Sequence, residues 1–212
     1  MSEFADIERR VGVYYTGKLS QHGATYAGVD WNSEESQQLR FDQLLRVVDF
    51  SAPFAINDFG CGYGALVDEL ERRGQVFSYT GLDVSAAMIE QARGRHGDAP
   101  GRRFTTEAAD LPVADYTVAS GVFNVLAGAE PSAWPGYVLA TLSRMAELSR
   151  RGLAFNCLTS YSDADKMVPE LHYADPCRLF DWCKRELSRH VALLHDYGLY
   201  EFTIIVRFDD RS

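Results

Sequence analysis

Several features are scarce in this chain of 212 residues, and each scarcity removes a class of protein. Only four cysteines occur, Cys61, Cys157, Cys177 and Cys183, with no CxxC pair and no metal-ligand spacing to the five histidines. A disulfide scaffold and a zinc ribbon are therefore excluded as organising principles. No run approaches the ~20 consecutive apolar residues that cross a bilayer. The opening residues carry Glu3, Asp6, Glu8, Arg9 and Arg10 rather than an apolar stretch, so no secretory leader is read there. A reduced, cytoplasmic protein without membrane attachment is the resulting expectation. Positive charge is scarce as well: 21 Lys and Arg stand against 30 Asp and Glu, a net charge of −9. Phosphate backbones are held by clustered Lys and Arg, so nucleic acid is an unlikely partner. Arg93, Arg95, Arg102 and Arg103 lie close together and are read as a solvated loop and helix end. The Ser, His and Asp residues form no G-x-S-x-G elbow, which removes an α/β-hydrolase.

What the chain does have is enough apolar material for a packed core, 46% hydrophobic with 12% aromatic, at a length suited to one domain. The organising stretch is Ile56-Asn57-Asp58-Phe59-Gly60-Cys61-Gly62-Tyr63-Gly64. A β-prone run enters three glycines at alternate positions, and Ala65 to Arg73 then opens with helical spacing and stops at Gly74. Strand, glycine turn and helix N-terminus in that order let backbone approach a ligand, because glycine has no Cβ in the way. About 20 residues on, a second apolar run ends in an acid, Tyr79-Thr80-Gly81-Leu82-Asp83, placed to accept from a ribose.

The dinucleotide fingerprint is G-x-G-x-x-G, whereas the pattern here is D-x-G-x-G-x-G from Asp58 to Gly64. Asp58 would repel a pyrophosphate and would welcome an ammonium group. S-adenosylmethionine joins adenosine to an amino-acid tail and answers both features. On these residues the chain resembles the class I S-adenosylmethionine-dependent methyltransferases. Asp58 to Gly64 is similar to their first motif, and Gly81-Leu82-Asp83-Val84-Ser85 to their acidic ribose loop.

The remaining pattern alternates strands and helices, which implies parallel βαβ crossovers. Strands are expected near 55–59, 78–83, 103–107, 116–120 and 153–157. Residues 1–32 show no clear periodicity and are read as a polar-aromatic arm or lid, with a helix following from Asn32 and Ser33 to about Phe50. Asp175-Pro176 starts a helix to about Arg185, and two β-rich runs around Asp196-Tyr197-Gly198 read as a hairpin. The expected fold is α/β, a doubly wound, Rossmann-like, seven-stranded mixed sheet. By the resemblance its order is 3-2-1-4-5-7-6 with strand 7 antiparallel. The expected organisation is one domain over 1–212, divided into an arm and helix (1–50), a cofactor-binding core (51–157), an insertion with a helix (158–190) and the hairpin (191–208).

The resemblance implies specific roles. Gly60 and Gly62 would lie against the methionine portion, Asp58 against its ammonium, and Asp83, with Val84 beside it, at the ribose. Met88 would cover adenine. Ala109-Asp110-Leu111 would meet the adenine edge, with Asp110 accepting from the exocyclic amine. Gly121 and Phe123 would flank the sulfonium, the Phe123 ring offering its π-face. Candidates for positioning the acceptor or removing a proton are Tyr15 and His22 in the arm and His172 in the insertion, with Tyr14, Lys18, Glu170 and Tyr173 nearby. A metal-assisted reaction would require carboxylates where Gly121 and Asn156 stand, so no metal is expected. The expected function is S-adenosylmethionine-dependent methyl transfer to a small-molecule acceptor. The alternatives are a cofactor-binding or regulatory subunit without catalysis of its own and, less favoured, an NAD-dependent oxidoreductase.

Overall fold

The structure is a computed structural model that describes residues 3–97 and 99–209. Seven strands form one sheet: β1 (Phe54–Phe59), β2 (Phe77–Leu82), β3 (Arg102–Thr105), β4 (Ala114–Ala119), β5 (Ser149–Leu158), β6 (His190–Leu194) and β7 (Glu201–Arg207). Their order is β3-β2-β1-β4-β5-β7-β6. The pairs among β1 to β5 are parallel, while β7 runs antiparallel to both β5 and β6. The mixed seven-stranded sheet expected from the sequence is therefore the one observed. Among the described residues six α-helices accompany it: α1 (Glu3–His22), α2 (Glu34–Leu44), α3 (Ala65–Arg72), α4 (Ala86–His96), α5 (Trp134–Glu147) and α6 (Pro176–Trp182).

Period-two alternation gives the sheet two apolar faces. On β5, Leu153, Phe155 and Cys157 join Trp134, Leu142 and Met145 of α5 in one core. Ala154, between them, joins the other core with Leu44 of α2, Leu66 and Leu70 of α3 and Ile89 of α4. β7 splits the same way, Phe202, Ile204 and Val206 to the first face and Ile205 to the second.

Local chemistry sets the helix starts. The Ser33 side chain accepts from the Ser36 amide and Ser36 reaches back, a reciprocal cap on α2. Ser85 caps α4 through the Met88 amide, and Asp175 caps α6, with Pro176 in its first turn. One expectation is corrected: residues 3–22 are a 20-residue helix rather than an irregular arm. Gly12 and Gly17 lower its intrinsic propensity and obscure its period, but tertiary contact holds it. A Cβ on Gly12 would come within 3.0 Å of the Val84 carbonyl oxygen, and Thr16 Oγ1 lies 2.8 Å from Ser85 Oγ. Glycine there lets α1 lie directly across the loop between β2 and α4.

Candidate active site

Where strand order reverses, between β1 and β4, an α/β sheet leaves a crevice at its carboxyl ends. A cavity of about 260 Å³ opens there, close to the ~300 Å³ lower bound for small-molecule sites. Its floor is the turn after β1, with Asp58, Gly60, Cys61, Gly62 and Tyr63. Gly60, Gly62 and Gly64 all have positive φ, at 72°, 54° and 85°. The turn therefore requires the residue type that tolerates left-handed backbone. The Gly60 and Cys61 amides both donate to the Leu82 carbonyl, at 2.7 and 2.9 Å, tying the turn to the end of β2.

Asp83 completes that tie. One carboxylate oxygen accepts from the Gly62 amide at 2.9 Å, the other from the Ser85 amide at 2.8 Å. It is 7% exposed, and burial pushes its pKa up to about 6 against those two amide hydrogen bonds. Asp58 is deeper, with the Tyr79 hydroxyl donating to it at 2.7 Å. Burial, opposed by that hydrogen bond and reinforced by the Asp83 charge, pushes the Asp58 pKa up to about 7. Two buried carboxyls thus face one cavity with little positive charge to meet them. Those acceptors suit a ligand with hydroxyls and a cationic group.

The rest of the lining comes from helices. Phe4, Glu8, Val11 and Tyr15 descend one face of α1, and Tyr137, Ala140, Thr141 and Arg144 one face of α5. Both sets follow the 3.6 period, so two helical stripes flank the cavity. Phe4 meets Tyr137 edge-to-face at 5.9 Å. Val29, Trp31, Gln37 and Phe41 close another side, and Ser120, Gly121 and Val122 carry the exit of β4. The Ser120 hydroxyl is buried without a hydrogen-bond partner.

Of the residues singled out from the sequence, Asp58, Gly60, Gly62, Asp83, Val84, Met88, Gly121 and Tyr15 line this cavity. Phe123, Leu111, Ala109, Asp110, His22 and His172 are not among its lining residues. Phe123 is fully buried, edge-to-face with Phe155, so its ring serves the core, and Val122 takes the cavity side. Leu111 is a core residue, and Ala108 rather than Ala109 reaches the cavity. The Asp110 carboxylate accepts from Arg103 at 2.8 Å and Thr105 at 2.9 Å. His22 is exposed at the C-terminal end of α1. His172 packs near the Trp134 ring with its amide on the Asn124 carbonyl, and burial lowers its pKa. Burial raises the Tyr15 pKa, leaving a neutral hydroxyl at pH 7. Among the described residues, Asp68, Glu71 and His96 bring potential metal ligands within 4.8 Å of one another. Both carboxylates already pair with arginines, Asp68 with Arg95 and Glu71 with Arg102.

This sheet order, with a ligand-sized cavity over a glycine turn and two buried acids, defines the methyltransferase class of α/β fold. Comparison with known proteins agrees. Residues 57–152 match the family model described as "Methyltransferase domain". A Mycobacterium tuberculosis (strain ATCC 25618 / H37Rv) protein named as a methyltransferase is 54% identical over 163 residues, 77% of this chain and 98% of the relative. Among solved structures, magnesium protoporphyrin IX methyltransferase from Synechocystis PCC 6803, with bound S-adenosylmethionine, superposes with a TM-score of 0.64. It is 14% identical, with 99% of this chain and 98% of that one covered. The 1,6-didemethyltoxoflavin-N1-methyltransferase of Burkholderia thailandensis gives a TM-score of 0.59 at 17% identity, covering 94% and 91%. The chain belongs to the class I S-adenosylmethionine-dependent methyltransferase family.

Proposed function

We propose that the protein transfers the methyl group of S-adenosylmethionine to a small-molecule acceptor held between the α1 and α5 stripes. The observation that carries this reading is a single cavity shared by the Asp58–Gly62 turn, Asp83 and those two helix faces. The residues suit the cofactor. Asp83 uses one lone pair on each oxygen for backbone amides and keeps others for ribose hydroxyls. Asp58 accepts from Tyr79 on one oxygen and has acceptor capacity left for an ammonium group. The unpartnered Ser120 hydroxyl offers a further contact at the exit of β4.

Bound S-adenosylmethionine supplies an electrophilic methyl on an excellent leaving group. The chain's task is alignment, and well-oriented reactions reach effective molarities of about 10⁵ M or more. α1, resting on Val84 and Ser85, excludes water from above. Tyr15 holds a hydroxyl that donates or accepts without ionising. Phe4, Val11, Val122 and Tyr137 make an apolar wall, with Glu8 and Arg144 as the charged groups among the two stripes. That environment favours a largely apolar acceptor over a polyanion. Magnesium protoporphyrin IX and 1,6-didemethyltoxoflavin, after which the two fold neighbours are named, are small molecules, in keeping with this choice. In this reading residues 1–50 are lid and supporting helix on a single domain. No helix among the described residues is long and apolar enough to cross a membrane.

A thermal-shift panel tests the cofactor half. Stabilisation by S-adenosylmethionine and S-adenosylhomocysteine, without stabilisation by NAD or NADP, is expected, and the reverse ranking overturns it. A mass-spectrometric metabolite screen for the gain of one methylene tests the other half. Cofactor binding with no S-adenosylhomocysteine released for any acceptor would favour a binding or regulatory subunit instead.

A further inference from the structure

Two walls of the cavity hang on one ion pair that lies outside it. Arg40 on α2 is 5% exposed and Glu201 at the start of β7 is 1% exposed. Arg40 Nε donates to Glu201 Oε1 and Oε2 at 3.0 and 2.9 Å, and Nη2 donates to Oε1 at 2.7 Å. Its Nη1 donates to the Ser36 carbonyl at 2.7 Å. A buried pair of this kind loses so much hydration that apolar residues of equal volume often stabilise a fold as well or better. Packing alone therefore does not account for it.

The contacts on either side of the pair do. The Arg40 guanidinium carbon sits 3.9 Å from the centroid of the Trp31 ring, a cation–π stack. On the other side, Glu201 Oε2 accepts from Asn156 Nδ2 at 3.1 Å, and Asn156 Oδ1 accepts from the Gly121 amide at 2.6 Å. Trp31 and Gly121 meet each other across the cavity wall. A Cβ on Gly121 would lie 2.3 Å from Trp31 Cη2, and Gly121 has a φ of 72°. One guanidinium thus orients the indole, and one carboxylate orients the turn against which that indole rests.

We propose that the Arg40–Glu201 pair is a positioning element of the active site, fixing Trp31 and the Gly121 turn at the β4 end of the cofactor cavity. This rests on the cavity being the S-adenosylmethionine site. Arginine is required at position 40 because a lysine has neither the planar face for the indole nor the fork for the carboxylate. Loosening the pair lets Trp31 and the turn move together, and the cavity loses its shape at that end while the sheet stays intact.

The test is a titration of the full chain with S-adenosylhomocysteine, followed by calorimetry and by intrinsic fluorescence. Trp134 and Trp182, the other two tryptophans, do not line the cavity. The expected fluorescence change should therefore vanish in Trp31→Phe. Arg40→Lys and Glu201→Gln should each lower affinity about tenfold or more and abolish the Trp31 response. The paired Arg40→Met, Glu201→Met variant leaves no charge orphaned. It should melt near the wild-type temperature yet show the same loss. Wild-type affinity and response in that paired variant overturn the proposal. Should the pair fail to fold, folded Arg40→Lys decides by the same criterion. No binding to the wild-type chain is a different failure: it removes the cofactor reading, and this inference with it.

Discussion

A carboxyl held near neutrality beneath the proposed ammonium site makes ligand binding depend on pH, and Asp58 allows that dependence to be worked out. Burial first, then the neighbouring Asp83 charge, push its pKa up to about 7, while the Tyr79 hydroxyl bond pulls the other way. An ammonium group needs the ionised form. With a pKa of about 7, roughly nine-tenths of the free protein carries Asp58 ionised at pH ~8 and roughly one-tenth at pH ~6. Affinity for S-adenosylhomocysteine should therefore fall about tenfold over that window, about 1.4 kcal/mol, with proton release on binding. Calorimetry in two buffers of different ionisation enthalpy measures both quantities. Asp58→Asn should bind weakly at every pH and lose the step near pH ~7, leaving only the shallower dependence of Asp83, whose pKa is about 6. The sign for stability is opposite to that of a salt-bridged carboxylate. The raised pKa means that the folded chain holds a proton the unfolded chain releases above the ordinary carboxylate value of 3.8. Stability of the free protein should thus drop as pH rises from about 4 to about 7, by up to about 4 kcal/mol, and Asp58→Asn should be spared that drop. An affinity constant from pH ~6 to ~8, or an unchanged profile in Asp58→Asn, refutes the reasoning.

Other substitutions separate the remaining roles. Asp83→Ala removes the acceptor of the Gly62 and Ser85 amides, and with it the proposed acceptor for the ribose. Cofactor affinity should weaken by at least about 1–3 kcal/mol in calorimetry, and unchanged affinity refutes the role. Gly60→Val places a Cβ 2.5 Å from Val122 Cγ2 at a φ of 72°. It should abolish binding and lower stability by about 1–3 kcal/mol in thermal melts, and a wild-type titration would count against the turn as cofactor floor. Ser120→Ala removes an unpartnered buried hydroxyl. The free protein should be as stable or more so, while S-adenosylhomocysteine binding weakens by about 1 kcal/mol; a loss of stability with intact binding contradicts the assigned contact. His22→Ala and His172→Ala, both outside the cavity, should leave cofactor affinity at the wild-type value by calorimetry, and a drop overturns that placement.

What the sequence reveals here follows from how far each signal reaches. The glycine turn and Asp83 are legible because their constraint is local: positive φ demands glycine, and the acid ends its own strand. The hairpin of β6 and β7 is legible because turn residues separate two apolar, β-prone runs. α1 is harder, since Glu8 interrupts its stripe and Gly12 is set by contact with Val84, a residue distant in sequence. Phe123 and Val122 differ by one position, and which of them faces the cavity depends on the turn at Gly121, not on residue type. Trp31 and Arg40 become meaningful only once β7 brings Glu201 beneath them, a partner 161 residues from Arg40. The cavity-lining positions of α1 (4, 8, 11, 15) and α5 (137, 140, 141, 144) fall at helical spacing once the helices are known. No pattern in one segment says that two such stripes face each other.

The most direct measurement is a crystal structure of the chain with S-adenosylhomocysteine. The account predicts the ribose hydroxyls within hydrogen-bond reach of the Asp83 carboxylate, with the amino-acid tail lying over Gly60 beside Asp58. Density for the ligand anywhere else, or a different nucleotide retained over Gly60, would contradict it.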